Sequence, residues 1–215
     1  REVHQKAAVL YRKQARFQLI STGKISQKQL LFEEQHLERL RKASRYFAFP
    51  YDAEELRQKI EAECQACDVD QDYRLRISLS KSGKIELSRQ ILTPLSPHFC
   101  QAKLCLQEAN LQQAFIYFKT THRPHLNLGE QEKIYCNKSG ELLETSIGNL
   151  VLKIAGKLYT PPIRLGILPG IYRQHLLETG QVEETVLTLA DLAQAEDIYA
   201  CNAVRGLYEL SLEEN

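Results

Sequence analysis

Two prolines within five residues, at Thr93-Pro94-Leu95-Ser96-Pro97, interrupt the chain before its midpoint. Proline locks φ and carries no amide hydrogen, so neither a helix nor a central strand runs easily through this stretch. Two folding units are therefore expected: a smaller N-terminal α/β domain over 1–93, with 1–16 as a linker or arm, an interdomain linker over 94–99, and a larger domain over 100–215. A chain of 215 residues is long enough to bury roughly 70% of its unfolded surface.

Before the prolines the pattern is strand, helix, helix, strand. Residues 17–21 and 28–33 read as short strands around Gly23, and a helix follows through Leu37, Leu40 and Tyr46-Phe47 until Pro50 stops it. Asp52 with Glu55 three residues on reads as a capping box opening a helix through Leu56, Ile60 and Cys64. From Arg74 to Ser80 the residues alternate, with Leu75, Ile77 and Leu79 on one face and Arg74, Arg76 and Ser78 on the other. Lys81-Ser82-Gly83 turns this strand into a second one, Ile85 to Ile91.

Beyond the prolines, strand-like segments fall at 101–106, 133–137, 149–154 and 157–160, with Gly140 and Gly156 at turns. Pro169-Gly170 opens a helix that runs to Thr179 and is closed by Gly180. A strand at 184–187, a short helix from Leu189 to Glu196 and a strand from Ile198 to Cys201 complete the pattern. Residues 1–16 and 207–215, net basic and net acidic, read as solvated termini.

Charge excludes some partners. With 28 Lys+Arg against 27 Asp+Glu the net charge is +1, which points to neither a nucleic acid nor a membrane surface. No apolar run approaches the ~20 residues a bilayer requires, and the first residues lead into no signal-peptide core, so a cytoplasmic protein is expected. Six cysteines are too sparse and irregular for a disulfide scaffold. Cys64-Gln-Ala-Cys67 has redox-motif spacing but neither a βαβ context nor a second pair to complete a zinc site. His122 and His125 lack a third ligand, and no metal is expected. Methionine is absent even at position 1, which suggests a segment of a longer product and leaves room for an upstream fusion.

Five segments carry a resemblance. They are His36-Leu37-Glu38-Arg39-Leu40; Phe118-Lys119-Thr120-Thr121-His122-Arg123; Glu144-Thr145-Ser146-Ile147-Gly148-Asn149-Leu150-Val151; Tyr159-Thr160-Pro161-Pro162 with Leu168-Pro169-Gly170-Ile171-Tyr172-Arg173; and Cys201-Asn202-Ala203-Val204-Arg205-Gly206. In order and spacing, from about Phe17 to Leu207, they resemble the class IV aminotransferases, the D-amino-acid and branched-chain type of pyridoxal-phosphate enzyme. The Lys-Thr-Thr, Glu-Thr-Ser-Ile-Gly-Asn and Asn-Ala-Val-Arg-Gly runs look most like the aminodeoxychorismate lyase branch, including the lyase domain fused behind a chorismate-aminating synthase component. The resemblance implies a two-domain mixed α/β fold with pyridoxal 5'-phosphate between the domains, and a homodimer.

It also implies roles. Lys119 follows the apolar run Ala114–Phe118, read as a buried strand that could carry its amine inward, where desolvation frees a nucleophile; that run alone favours a strand-end lysine facing water, and the other motifs reverse the preference. By resemblance Lys119 is the Schiff-base lysine, Glu144 the carboxylate on the pyridine nitrogen, and Asn149 a further cofactor contact. Backbone amides at Ile171, Tyr172 and Ala203 and the side chain of Arg39 would hold the phosphate. Best-known relatives place threonine hydroxyls where this chain has Tyr172 and Ala203. Arg76, Arg123 and Arg205 are candidates for a substrate carboxylate.

The reaction so implied converts 4-amino-4-deoxychorismate to 4-aminobenzoate and pyruvate, alone or in association or fusion with an aminodeoxychorismate synthase. A transaminase of branched-chain or D-amino acids would use the same lysine and glutamate. A non-catalytic partner domain of a synthase is a third reading, against which the intact Lys119, Glu144 and Arg39 argue.

Overall fold

The computed structural model describes residues 17–107, 114–126 and 129–213; the expected arm over 1–16 lies outside the described residues. Contacts divide the chain into two units. The first runs to Thr93 and takes in Phe118–Arg123; the second holds Pro94–Tyr117 and everything from Pro124 onward.

The first unit is an antiparallel sheet with two helices. Strands β1 (Leu19–Ser26), β2 (Gln29–Leu30), β3 (Tyr73–Leu79) and β4 (Ile85–Ile91) lie in the order β2-β1-β3-β4. Gln27 and Lys28, both at positive φ, form the two-residue turn that the twist of a β-hairpin favours. Helix α1 (Glu33–Phe47) buries His36, Leu37, Leu40, Ala43, Ser44 and Phe47, and α2 (Ala53–Gln65) buries Leu56, Ile60 and Cys64. Asp52 caps α2 by accepting from the amides of Glu54 and Glu55 at 2.9 and 3.0 Å. Leu75, Ile77 and Leu79 face the core from β3, each contributing about 1.5–3 kcal/mol by burial. That leaves Arg74 and Arg76 on the other face of the strand.

The segment around Lys119 packs with this unit because its backbone adds to β1. Ile20 donates to the carbonyl of Lys119 at 3.0 Å and Thr121 donates to the carbonyl of Gln18 at 2.9 Å. Phe118 stacks near Tyr46 and Phe47 of α1, with centroids 4.7 and 5.4 Å apart.

In the second unit, the short helix α3 (Pro97–Cys100) leads into β5 (Gln101–Leu106). After it come α4 (Ala114–Tyr117), β6 (Lys133–Cys136), β7 (Leu142–Thr145), β8 (Asn149–Ile154), β9 (Lys157–Thr160), α5 (Ile171–Glu178), β10 (Glu183–Glu184), α6 (Leu189–Gln194), β11 (Asp197–Asn202) and β12 (Gly206–Leu212). The sheet order is β10-β9-β8-β11-β12-β5-β6-β7, and β7 pairs back onto β8. Six strands thus close a circuit, which leaves no free edge where β7 and β8 meet. Leu142, Leu150, Leu152, Ala200, Leu210 and Ile134 form its core.

Three local expectations are corrected and one strand is added. Residues 114–117 form a helical turn, not a strand, so the apolar run serves packing on consecutive residues, with Ala114, Phe115 and Ile116 all buried. The expected strand at 184–187 shrinks to Glu183–Glu184, a short parallel pair on β9. The acidic end is not a solvated tail: β12 occupies Gly206–Leu212, pairs with β11 and β5, and buries Leu210. Finally, Glu144 lies on a strand, β7, whose four residues are all buried.

Candidate active site

In the first unit the residues singled out from sequence converge on one amine. Burial, and then the guanidiniums of Arg39, Arg123, Arg74 and Arg76, push Lys119 well below the usual lysine range. Three separate stretches supply them: α1, β3 and the Lys119 segment itself. An amine so placed gives up its proton more readily than a free lysine, which favours it as a nucleophile and base. Arg39 is itself lowered to about 10, by burial and by Arg123. One helical turn before Arg39 on α1 sits His36, fully buried and held near 3 by burial first, then by Arg39 and Lys119. Its Nδ1 lies 2.7 Å from Ser21 Oγ, and its ring fills the place a side chain on Gly23 would take, since a Cβ there would stand 2.5 Å from Nε2. Neither Arg74 nor His36 was singled out from the sequence; the alternating strand and the His-x-x-Arg spacing were the signals.

In the second unit Glu144 and Asn149 are direct register partners where β7 meets β8. Glu144 Oε2 accepts from the amide of Leu168 at 3.2 Å, and Asn149 Nδ2 donates to the carbonyl of the same residue at 2.9 Å. The chain entering α5 is thereby gripped on both sides. His125 Nε2 stands 4.0 Å from Glu144 Oε1, with both side chains almost wholly buried. Sequence reading set His125 aside as half of a poor metal site; its proximity to Glu144 is long-range and left no local signal.

Helix α5 starts at Gly170 with no side-chain cap, so the amides of Ile171 and Tyr172 head a helix whose dipole favours an anion. Gly170 is required for close approach: a Cβ there would fall 1.9 Å from Asn149 Oδ1. Arg173, buried, bonds the carbonyl of Pro161 at 2.7 Å and pairs with Glu184. Between β11 and β12, Asn202 Oδ1 gathers the amides of Val204 and Arg205, each at 2.9 Å, and so closes the turn that contains Ala203. Gly206 ends it at φ 69°, with the Tyr172 hydroxyl 3.3 Å from where a Cβ would be, so this turn and the start of α5 are neighbours. Arg205 is lowered by burial and stands near Tyr208 and Cys100.

Lys119, Arg39, Arg76 and Arg123 thus belong to one unit, and Glu144, Asn149, Ile171, Tyr172, Ala203 and Arg205 to the other. Among the described residues no group of three His, Cys, Asp or Glu side chains could hold a metal ion. All six cysteines are free thiols, and burial raises Cys64 to about 11, the opposite of the lowered pKa of a redox-active thiol.

A family model described as amino-transferase class IV matches residues 18–211. The aminodeoxychorismate lyase of Saccharomyces cerevisiae is 25% identical over 189 residues, covering 63% of this chain and 50% of that protein. The chain spans half or less of the length of the curated relatives it matches. Among solved structures, a Mesorhizobium loti protein assigned as an amino-acid aminotransferase superposes with a TM-score of 0.80 at 26% identity, covering 92% of this chain and 100% of that one. A hypothetical aminotransferase of Mycobacterium tuberculosis in its PLP-bound form superposes with a TM-score of 0.74 at 17% identity, covering 91% and 81%.

Proposed function

The chain belongs to the class IV aminotransferases, a family that works with pyridoxal 5'-phosphate, and from that membership we propose that it is a 4-amino-4-deoxychorismate lyase that releases 4-aminobenzoate and pyruvate, a step toward folate. The observation that carries this reading is the crowding of Arg39, Arg74, Arg76 and Arg123 around the Lys119 amine. One guanidinium can serve the cofactor phosphate. The remainder suit a substrate with two carboxylates, as aminodeoxychorismate has, and poorly suit the apolar side chain of a branched-chain amino acid. The likeness to the yeast lyase supports the same direction.

The residues fit the cofactor. The start of α5 has no side-chain cap, and the tight approach of Gly170 to Asn149 keeps that end of the helix bare for a phosphate; the family resemblance assigns Arg39 to the same group. Glu144 has a buried carboxylate suited to the ring nitrogen, and Lys119 an amine of lowered proton affinity suited to the aldehyde. When bound, the cofactor supplies a carbonyl to capture the substrate amine and a ring that accepts electrons. Lys119, its basicity lowered by burial and its arginine neighbours, takes the proton from the amine-bearing carbon of the substrate. Glu144 would hold the ring nitrogen in its protonated form. Arg76 and Arg123 orient the substrate by its carboxylates, and loss of enolpyruvate makes the substrate ring aromatic.

Given aminodeoxychorismate and no keto acid, the protein is expected to form 4-aminobenzoate and pyruvate over many turnovers. A single turnover with leucine or D-alanine, together with no 4-aminobenzoate, would establish the transaminase instead. On this reading the enzyme acts in the cytoplasm as a homodimer, alone or joined to an aminodeoxychorismate synthase. No helix among the described residues is long and apolar enough to cross a membrane.

A further inference from the structure

Glu132, just before β6, is fully buried and has no place in the chemistry described so far. Its carboxylate is richly hydrogen bonded. Oε1 accepts from the amide of Ser146 at 2.8 Å, from the Ser146 hydroxyl at 2.5 Å and from the amide of Lys133 at 3.3 Å, and Oε2 accepts from the Tyr208 hydroxyl at 3.0 Å. Burying a carboxylate costs several kcal/mol even after relaxation, and an apolar residue of similar volume would pack the spot without that cost. What distinguishes the carboxylate is that it can accept from both sides at once.

The two sides lead to the two halves of the second unit's site. Ser146 is the second residue after Glu144 and begins the return from β7 to β8, where the amide and hydroxyl of Thr145 both donate to the carbonyl of Gly148, at 2.9 and 3.1 Å. Tyr208 is the second residue after Gly206, which ends the turn containing Ala203. Burial and the charge of Glu132 raise the Tyr208 phenol well above its ordinary pKa, so it stays a donor.

We infer that Glu132 is a positioning residue for the reaction: through Ser146 it sets the direction of the Glu144 carboxylate, and through Tyr208 it sets the Ala203–Gly206 turn. The inference rests on the proposed role of Glu144 at the ring nitrogen. In Glu132→Gln, the carboxamide oxygen can still accept from Ser146 while its NH2 donates to the oxygen of Tyr208. The hydrogen-bonded bridge survives without the charge. Glu132→Ala removes both arms, and Tyr208→Phe removes one while keeping the ring.

The three variants and Glu144→Ala, loaded with pyridoxal 5'-phosphate labelled with 15N in the ring, are compared by the ring-nitrogen chemical shift across pH, by kcat and KM, and by thermal melting. For Glu132→Ala the ring nitrogen should lose its proton at lower pH, and kcat should fall roughly tenfold or more, the scale expected of a small misplacement of a catalytic group, with little change in KM. Glu132→Gln should recover most of both, and Tyr208→Phe should fall between. Should Glu132→Ala not fold, Tyr208→Phe carries the comparison. A melting change with the nitrogen titration and kcat left at wild type would reduce Glu132 to a structural anchor and overturn the inference, as would a Gln variant no better than Ala. A wild-type nitrogen signal and rate in Glu144→Ala would instead sink the reading of Glu144 itself.

Discussion

Glu144 and Asn149 face each other across the junction of β7 and β8 and grip one residue between them, Leu168, the carboxylate taking its amide at 3.2 Å and the carboxamide its carbonyl at 2.9 Å. The pair therefore does two things: it presents a buried carboxylate, and it fixes the chain that enters α5. Ring-nitrogen chemistry and phosphate binding, if both belong to this unit, share one mechanical support.

The contrast between two glutamates on this hairpin tests the first role. Glu141 accepts from Asn137 Nδ2 at 2.7 Å in a half-buried turn. Glu144→Ala is expected to bind cofactor yet lose about a hundredfold or more in turnover, the scale of a lost preorganised charge, while Glu141→Ala stays close to wild type. Steady-state rates decide it; equal rates in both variants would place the ring-nitrogen role elsewhere.

Lys119 should carry the cofactor. Borohydride reduction of the loaded protein followed by peptide mapping is expected to find the pyridoxyl group on Lys119, and a label on another lysine would refute the assignment. The amine also has a cost that can be measured. Its folded pKa lies below the unfolded value of about 10.4, so the unfolded chain binds the extra proton and stability rises with pH across that window. Lys119→Met in the cofactor-free protein should raise the melting temperature at neutral pH and flatten this rise.

Arg39 should matter more for the phosphate than in relatives with threonine hydroxyls, because Tyr172 and Ala203 supply none. A charge-assisted hydrogen bond is worth about 1.5–3 kcal/mol, so Arg39→Ala should weaken cofactor binding roughly ten- to a hundredfold. Fluorescence titration with pyridoxal 5'-phosphate would show it. A change under about twofold, well below one such bond, would remove Arg39 from the phosphate site.

His36 gives the first unit an acid-sensitive point. Its folded value near 3 lies below the unfolded value of 6.5, so the stability it permits is present above about 6.5 and is lost as pH falls toward 3. Urea unfolding measured over that range should be less steep in pH for His36→Gln than for the wild type. Gly23→Ala, which brings a Cβ to 2.5 Å from His36 Nε2 and 2.8 Å from Leu30, should cost about 1–3 kcal/mol by overpacking. An alanine variant as stable as the wild type would show that the ring can move aside.

Much of the fold was legible because its signals are local. The alternation of Leu75, Ile77 and Leu79, the Asp52 cap and the Pro169-Gly170 helix start all act within a few residues, and each appears where the sequence puts it. The failures have a common cause. β7 has only four residues and takes its place on β8 from the closed circuit, as β12 takes its contact with β5, so neither the stretch around Glu144 nor the acidic residues after Leu207 showed it. The run Ala114–Phe118 is apolar on every residue, and such a run has no period to separate strand from helix.

The sequence by itself determined the family, through five segments in order, and with it the identities of Lys119, Glu144 and Arg39 as candidates. Only the tertiary structure decided that Lys119 holds its proton less tightly than a free lysine, because its protonation depends on burial and on guanidiniums brought from positions 39, 74, 76 and 123. Only it revealed Glu132, which holds Ser146 and Tyr208 from positions 14 and 76 residues away. Desolvation and electrostatic potential are sums over everything that packing brings near, and hydrogen-bond partners across a closed sheet are set by strand order. Neither quantity has a local pattern for a sequence to display.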